Sequence, residues 1–382
     1  MRIAIFTDTF IPLTDGVVTF ITNLSKELVK KGHKVFIICP KYKDNKEFKY
    51  KNIKVIRINC IPAFFYEGYK FASPFSWSLL NIIKREKIDI IHFQTPISLG
   101  IQAILISKIL KIPLVGTFHT NIADPNYLRH VNITNSYMQK MAWEYSKIYY
   151  NQADLRTCPS ETTKKELLKH GFKKPIKAIS NGIDLKVFKI AKNNKKQKNL
   201  IFIGRIAYEK NIFYLLDCFK MVLKKIPNTK LIIVGDGPQF VEVKDKVKSM
   251  NLSNKVILTG KINHNKLINS PIFNSADLFV TASTTETQGI STMEAQAKGI
   301  VSIGISAGGI KDLIKNNHNG FLVKVGDKKE FADSIIKLLS NKFLYKKMRT
   351  NTLEEIKKHD MKKVIKIYEK EYETLIKNKN RS

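Results

Sequence analysis

Short apolar runs, each closed by a polar loop and followed by a stretch of helical period, recur along the whole chain. The first is Arg2-Ile-Ala-Ile-Phe6; a polar loop, 7–16, follows, then a helical segment from about Val17 to Lys31 stopped by Gly32, then Lys34-Val-Phe-Ile-Ile-Cys39. Apolar run, helix, apolar run is a βαβ unit, so its strands lie parallel with a right-handed crossover and its sheet is covered on both faces. Further strands are expected at Val55–Ile58, Ile88–Phe93, Pro113–Phe118, Leu155–Cys158 and Ile176–Ile179, which makes a doubly wound sheet. The turn signal Asn181-Gly182-Ile183-Asp184 and the polar run Ile190–Lys198 interrupt the series, and the linker is placed there. A second series then runs through Asn199–Ile203, Leu231–Val234, Val256–Leu258, Leu278–Thr281 and Val301–Ile303, with helices at about Asn211–Lys225 and Gln239–Met250. The expected organisation is an α/β domain over 1–190, a second over 191–360, and a basic tail whose residues Phe343 to Lys377 have helical period.

At 382 residues, with 43% hydrophobic and 10% aromatic side chains, the chain can fill two cores and is no disordered polymer. The most apolar run, Ile101 to Gly116, carries Lys108 and Lys111 and falls short of a membrane span. Met1-Arg-Ile-Ala-Ile-Phe6 meets Asp8 too soon to be the apolar core of a leader. Cys39, Cys60, Cys158 and Cys218 show neither paired spacing nor a histidine pattern, which argues against a disulfide framework or zinc site and for a reducing cytoplasm. The net charge of +34 is spread evenly: residues 1–190 carry 30 basic and 14 acidic side chains, residues 191–382 carry 36 and 18. A nucleic-acid patch would be lopsided, and no zinc-finger or RNP-like pattern accompanies the charge. Such a charge attracts anionic surfaces, of which phosphate backbones and lipid headgroups are the two kinds.

Chemistry concentrates after the strand expected at Ala276–Ala282, in Thr284-Thr-Glu-Thr-Gln-Gly-Ile-Ser-Thr-Met-Glu294. Strand, polar loop and helix start is a geometry in which free N–H groups and the helix dipole face an anion. Glu286 lies in the loop and Glu294 in the helix, with seven residues between them. On spacing alone, two solvated glutamates at a helix start is the plainer reading. Gly204-Arg-Ile-Ala-Tyr-Glu-Lys210 adds a second element, since Arg205 and Lys210 follow the strand ending at Ile203, at the carboxyl end of a parallel strand where such sheets bind ligands. Two fixed cations there can stabilise a departing diphosphate without a metal ion.

The two elements together, G-R-x4-K and E-x7-E about eighty residues later, resemble the signature of the retaining, family 4-like glycosyltransferases with the GT-B fold. That resemblance implies two Rossmann-like α/β domains facing across a cleft, with the last helix crossing back onto the first domain. It implies a nucleotide-sugar donor and no metal. Arg205 and Lys210 would contact the diphosphate, Glu294 the ribose, and Glu286 the ring hydroxyls of the sugar. The amides around Thr287, Gln288, Gly289 and Ile290 would face the sugar and phosphates, and the Gly260-Lys261-Ile262 segment the base. In the first domain, Gly16 would let the backbone approach the ligand, although it reads equally well as a helix start. His119, in Thr117-Phe-His-Thr120, would meet the donor sugar near its 6-hydroxyl. The catalytic set implied is thus Glu286, His119, Arg205 and Lys210, and no nucleophile with an adjacent base is visible. Gly308-Gly-Ile-Lys-Asp312 departs from the commoner G-G-x-x-E by a shorter carboxylate.

The acceptor is read from narrower features. Ala282-Ser-Thr-Thr-Glu-Thr-Gln-Gly289 and Phe10-Ile-Pro-Leu-Thr-Asp-Gly-Val-Val-Thr19 resemble the bacterial diacylglycerol glucosyltransferases, which use UDP-glucose at the cytoplasmic membrane face. The resemblance implies UDP-glucose as donor, diacylglycerol as acceptor, and a peripheral place on the inner face of an anionic membrane. The aromatic stretch 61–77, preceded by lysines 41, 43, 46, 49, 51 and 54, suits a headgroup boundary but reads equally as core aromatics beside a solvated basic hairpin. Tyr127 to Tyr150, with Trp143, is read either way too. Competing readings are a glycosyltransferase with a soluble or polysaccharide acceptor, a nucleotide-sugar epimerase, and a nucleic-acid-binding protein. The epimerase lacks an assignable carboxylate–histidine base pair, and the even charge disfavours nucleic acid.

Overall fold

The structure is a computed structural model that describes residues 1–13, 15–42, 48–62, 70–128, 135–191 and 198–379. It divides into two compact units, unit 1 of Met1–Gly182 with Met361–Ser382 and unit 2 of Ile183–Asp360. The chain therefore leaves unit 1 at Gly182, ahead of the polar run at 190–198. The reason is packing: Ile183 and Phe188 are buried with Met293 and Ile356 of unit 2, and Ala191 with Ile201 and Ala295.

Unit 1 holds β1 (Arg2–Phe6), β2 (Lys34–Pro40), β3 (Ile53–Ile58), the short strands β4 (Cys60–Pro62) and β5 (Lys70–Ala72), β6 (Ile90–Phe93), β7 (Leu114–Thr117), β8 (Leu155–Cys158) and β9 (Ile176–Ala178). Seven of them form a parallel sheet in the order β3-β2-β1-β6-β7-β8-β9, while β4 and β5 pair antiparallel as a separate ribbon. The order reverses direction between β1 and β6, and loops leaving the carboxyl ends of strands at such a point border the crevice where doubly wound sheets take ligands. Because helices cover both faces, the central strands are apolar throughout rather than alternating: Ile3, Ala4, Ile5 and Phe6 of β1 are all fully buried.

The helix Met361–Lys379 completes unit 1 by packing on the helix Gly16–Lys30. Met361, Val364, Ile365, Tyr368 and Tyr372 recur at helical spacing and are buried, each such side chain contributing about 1.5–3 kcal/mol. The two tyrosines also enter a buried polar chain. The Tyr372 hydroxyl meets Nδ1 of His92 at 2.6 Å, Nε2 of His92 meets the Thr117 hydroxyl at 2.6 Å, Thr117 meets Thr157 at 2.5 Å, and Thr157 meets the Tyr368 hydroxyl at 3.4 Å. Burial pushes the His92 imidazole down to about 3, so it sits in this chain uncharged.

Residues 63–69 of the aromatic stretch, lysines 43 and 46, and the Tyr127 side chain lie outside the described residues. Of the flanking residues, Trp77 is 71% exposed, whereas Phe75 is partly buried against its ring. The helix Ser136–Tyr150 has two faces. Trp143 is buried and stacked on His170 at 3.8 Å, while Tyr137, Met138, Met141, Tyr145 and Ile148 are exposed on the other side. No helix among the described residues is long and apolar enough to cross a membrane.

Unit 2 holds β10 (Lys198–Ile203), β11 (Thr229–Val234), β12 (Val256–Leu258), β13 (Leu278–Thr281), β14 (Val301–Ile305) and β15 (Gly320–Val323), parallel in the order β12-β11-β10-β13-β14-β15. Its reversal lies between β10 and β13, so the loops after these two strands flank the corresponding crevice.

Candidate functional site

In unit 2 both sequence elements fall on that reversal point. After β10 the chain runs through half-buried Arg205 and a single short turn, Tyr208–Lys210, before the helix Ile212–Lys225. After β13 it runs through Glu286 and Thr287 to the helix Ile290–Ala297. Nζ of Lys210 donates to Oε1 of Glu286, which ties the two loops together. Both side chains keep about a fifth of their surface exposed (19% and 21%), so a ligand can reach and exchange either partner.

Neighbouring loops fix these backbones. The amide of Gly204 donates to Val234 O at 3.0 Å, that of Ile206 to Asp236 O at 3.0 Å, and that of Gly235 to Gly260 O at 3.0 Å, so the loops after β10, β11 and β12 form one layer. Beneath the acidic loop, the amide of Gly309 donates to Glu286 O at 2.6 Å. A Cβ on Gly308 would strike the carbonyl of Glu286, and one on Gly309 that of Thr287, so only a glycine pair lets the backbone after β14 support the loop this closely. In this sequence it is the Gly308-Gly309 part of the G-G-x-x-D motif that does the supporting. Gly289, at φ +95°, is the N-cap of the Ile290–Ala297 helix and, lacking a side chain, makes no cap hydrogen bond of its own. A helix start of this kind turns its first-turn N–H groups toward an anion. Gln288 is buried and Ile290 half-buried beside them.

Glu294 is only 4% exposed, and its Oε1 accepts from Nε2 of His264 at 2.6 Å. That hydrogen bond pushes the imidazole pKa up, against the opposing pull of burial. Lys261 is exposed on the loop that leads to His264. Among the described residues no group of three or more His, Cys, Asp or Glu side chains is placed to hold a metal ion.

In unit 1 the expected residues again follow strands at the reversal point or next to it. His119 comes two residues after β7 and is buried, its Nε2 hydrogen-bonded to Oε1 of Gln94 at 2.8 Å and its ring against Phe20 at 4.8 Å. Burial lowers its pKa to about 3, so the imidazole is neutral at physiological pH and can hydrogen-bond a hydroxyl but carries no charge. Gly16 is the first residue of its helix, exposed, beside the N-cap Asp15 whose carboxylate accepts from Val18 N at 2.8 Å and Thr9 Oγ1 at 2.7 Å. Its place as a helix start is therefore settled, and a ligand-facing role would come in addition.

Two residues that sequence reasoning passed over stand beside the expected ones. Gln94 follows β6 directly, is 1% exposed, and its Nε2 has no hydrogen-bond partner among the described residues. A polar residue just after a buried parallel strand was a signal it shares with His119. His264 had no such signal.

Known proteins are similar to this chain along most of its length. The Glycosyltransferase Family 4 model matches residues 14–187, and the Glycosyl transferases group 1 model matches residues 185–355. An alpha-monoglucosyldiacylglycerol synthase of Streptococcus pneumoniae is 34% identical over 336 residues, which are 84% of this chain and 75% of that protein. The chain belongs to the family 4-like glycosyltransferases. Another alpha-monoglucosyldiacylglycerol synthase, from Acholeplasma laidlawii, is 28% identical over 320 residues, 78% of this chain and 79% of that one. The fold is GT-B: HepE of Anabaena, solved in complex with UDP-glucose, aligns with a TM-score of 0.78 over 98% of this chain and 100% of its own, at 17% identity. As a glycosyltransferase of this fold, the protein has its two Rossmann-like units accounted for, and the loop layer of unit 2 is the part whose chemistry suits a sugar attached to a diphosphate.

Proposed function

We propose that this glycosyltransferase moves glucose from UDP-glucose to diacylglycerol, with retention at the anomeric carbon, at the inner face of the cell membrane. The observation that carries the donor half is the Lys210–Glu286 pair across the β10/β13 reversal, next to a helix start whose N-cap is glycine. On donor binding the diphosphate takes Lys210 and Arg205, which releases the Glu286 carboxylate for hydroxyls of the sugar. The first-turn amides of Ile290–Ala297 add hydrogen bonds to phosphate oxygens, and Glu294 accepts from the ribose. The anomeric carbon then exchanges its bond to the β-phosphate oxygen for one to the acceptor oxygen on the same face. The acceptor's proton passes to the departing phosphate, and UDP leaves. Arg205 and Lys210 stabilise the charge that grows on that phosphate, an effect worth about 3–4 kcal/mol per donor in comparable sites. Neutral His119 holds a sugar hydroxyl.

The diacylglycerol acceptor is supported by the names of the two relatives above and by the surface of unit 1. The exposed Tyr137, Met141, Tyr145 and Ile148 lie along one side of their helix, with Lys140 and Lys147 on the same helix and Lys108 and Lys111 at the end of the helix Ser98–Leu110. Rings and methyls set among lysines suit an anionic headgroup layer, where each lysine contributes about 1 kcal/mol. A soluble acceptor is favoured by another relative, the N-acetyl-alpha-D-glucosaminyl L-malate synthase of Bacillus anthracis, 26% identical over 92% of both chains. Transfer of labelled glucose from UDP-glucose in liposomes containing diacylglycerol, with and without anionic lipid, separates the two. A glucosyl lipid whose yield rises with anionic lipid and falls with salt supports the proposal. UDP release without a lipid product transfers the reading to a soluble or polysaccharide acceptor.

A further inference from the structure

Glu294 is a carboxylate almost withdrawn from water, halfway along the helix Ile290–Ala297, and His264 supplies its hydrogen bond from a different element. His264 opens the short helix His264–Ile268, whose N-cap Asn263 accepts from Asn265 N at 3.1 Å. The loop before it is pinned to the loop after β11 by the Gly235–Gly260 hydrogen bond. One turn further along each helix the contact repeats: Nζ of Lys298 donates to Ile268 O at 2.9 Å. Lys298 is itself 1% exposed and lies over the ring of Phe273 at 5.2 Å. Between these two contacts Leu267 packs in the same apolar cluster as Ala295. The pairs 264–294 and 268–298 therefore brace one helix against the other at two levels.

We propose that His264 is a positioning residue for donor binding: it holds the Glu294 carboxylate in one rotamer, so that the second oxygen meets the ribose hydroxyls of the nucleotide. The inference rests on the reading of Glu294 as the ribose acceptor. A carboxylate has about four lone-pair sites, and one N–H on Oε1 leaves Oε2 open to a vicinal diol. Without His264 the buried carboxylate has lost the hydrogen bond that fixes it, and it turns toward water. A reoriented Glu294 no longer presents an oxygen to the diol. The second level, Lys298 to Ile268, keeps the two helices in register, so the His264 ring does not slide away when the ligand arrives.

The experiment compares the whole protein with His264→Ala and His264→Gln, using UDP itself as the probe in calorimetry and UDP-glucose in turnover. His264→Ala is expected to weaken UDP binding and raise the donor KM about tenfold, the factor corresponding to a single hydrogen bond of about 1.4 kcal/mol, with kcat changed by less than about twofold. Gln keeps an N–H of similar reach and is expected to recover most of the loss. A donor lacking the ribose 2′-hydroxyl should bind the wild type more weakly but give no further loss with His264→Ala, because both changes remove the same interaction. Equal UDP binding by wild type and His264→Ala overturns the inference, as does a loss appearing in kcat alone or a fall in melting temperature that Gln does not reverse. Failure of the wild type to bind UDP at all overturns the reading of the donor site instead.

Discussion

His119 offers a quantitative test through stability. Its folded-state pKa is near 3 because the ring is buried, against an ordinary value of 6.5. Above pH 6.5 neither the folded nor the unfolded state carries the proton, and this group leaves stability untouched. As pH falls below 6.5 the unfolded chain takes up a proton that the folded one refuses, so stability is lost progressively until the folded pKa is reached. At pH 5 the loss is about 2 kcal/mol, from 1.36 kcal/mol per unit over the interval between 6.5 and 5. His92, likewise lowered to about 3 by burial, acts with the same sign. Asp8 and Asp15, raised by burial, act with the opposite sign, since their folded forms bind the proton first. The difference between wild type and His119→Gln removes the contribution of this histidine, together with the smaller part of the His92 shift that His119 causes. Urea denaturation at pH 8 and pH 5, followed by tryptophan fluorescence, is the assay, because the protein's two tryptophans, Trp77 and Trp143, both lie in unit 1. The wild type should lose about 2 kcal/mol more than His119→Gln between the two pH values. Equal losses would refute the placement of His119 as a buried neutral imidazole.

Arg205→Ala and Lys210→Ala should each lower kcat about a hundredfold or more while changing donor KM much less, measured as initial rates of UDP release; full turnover in the double variant would sink the site assignment. Glu294→Ala should mainly raise the donor KM, and a variant with lowered kcat at unchanged KM would contradict its place at the ribose. Tyr372→Phe leaves Nδ1 of buried His92 without its partner at 2.6 Å and should cost unit 1 about 1–3 kcal/mol in the same fluorescence assay, with no cost at all arguing against the buried polar chain.

The sequence made the two parallel sheets readable because helix-covered strands are apolar on both faces, and runs such as Arg2–Phe6 and Lys34–Cys39 have few other ways to be buried. The acidic loop and the basic loop were readable for a related reason, since each follows such a strand, and strand order then brought them together. Contacts fixed by tertiary distance were not readable. The hydrogen bond from Tyr372 to His92 spans 280 positions, and the one from His264 to Glu294 joins two helices whose sequences give no sign of one another. The point where the chain leaves unit 1 was hidden for a different reason. Polar composition marks exposure, and the residues just after Gly182 are apolar anchors of unit 2 rather than linker. Nor does spacing reveal that Gly308 and Gly309 serve Glu286, because their value lies in the space a missing Cβ leaves under its carbonyl.

The return of the last helix to unit 1 has a consequence for how the protein is made. Everything in unit 2 leaves the ribosome before Met361–Lys379, so the first Rossmann-like sheet is synthesised early but stays without one of its covering helices until that segment emerges. Unit 2 shortens that wait. Its first and last segments are joined, with Ile183 N donating to His359 O at 2.9 Å and Ile183 bridged to Asp360. Once unit 2 has folded, a long loop has become a short one, and the entropy of bringing the tail back has already been spent. Released chains that stop at Asp360 should therefore hold a protease-resistant unit 2 beside a unit 1 that is still open to cleavage. Chains that include Met361–Lys379 should resist in both units.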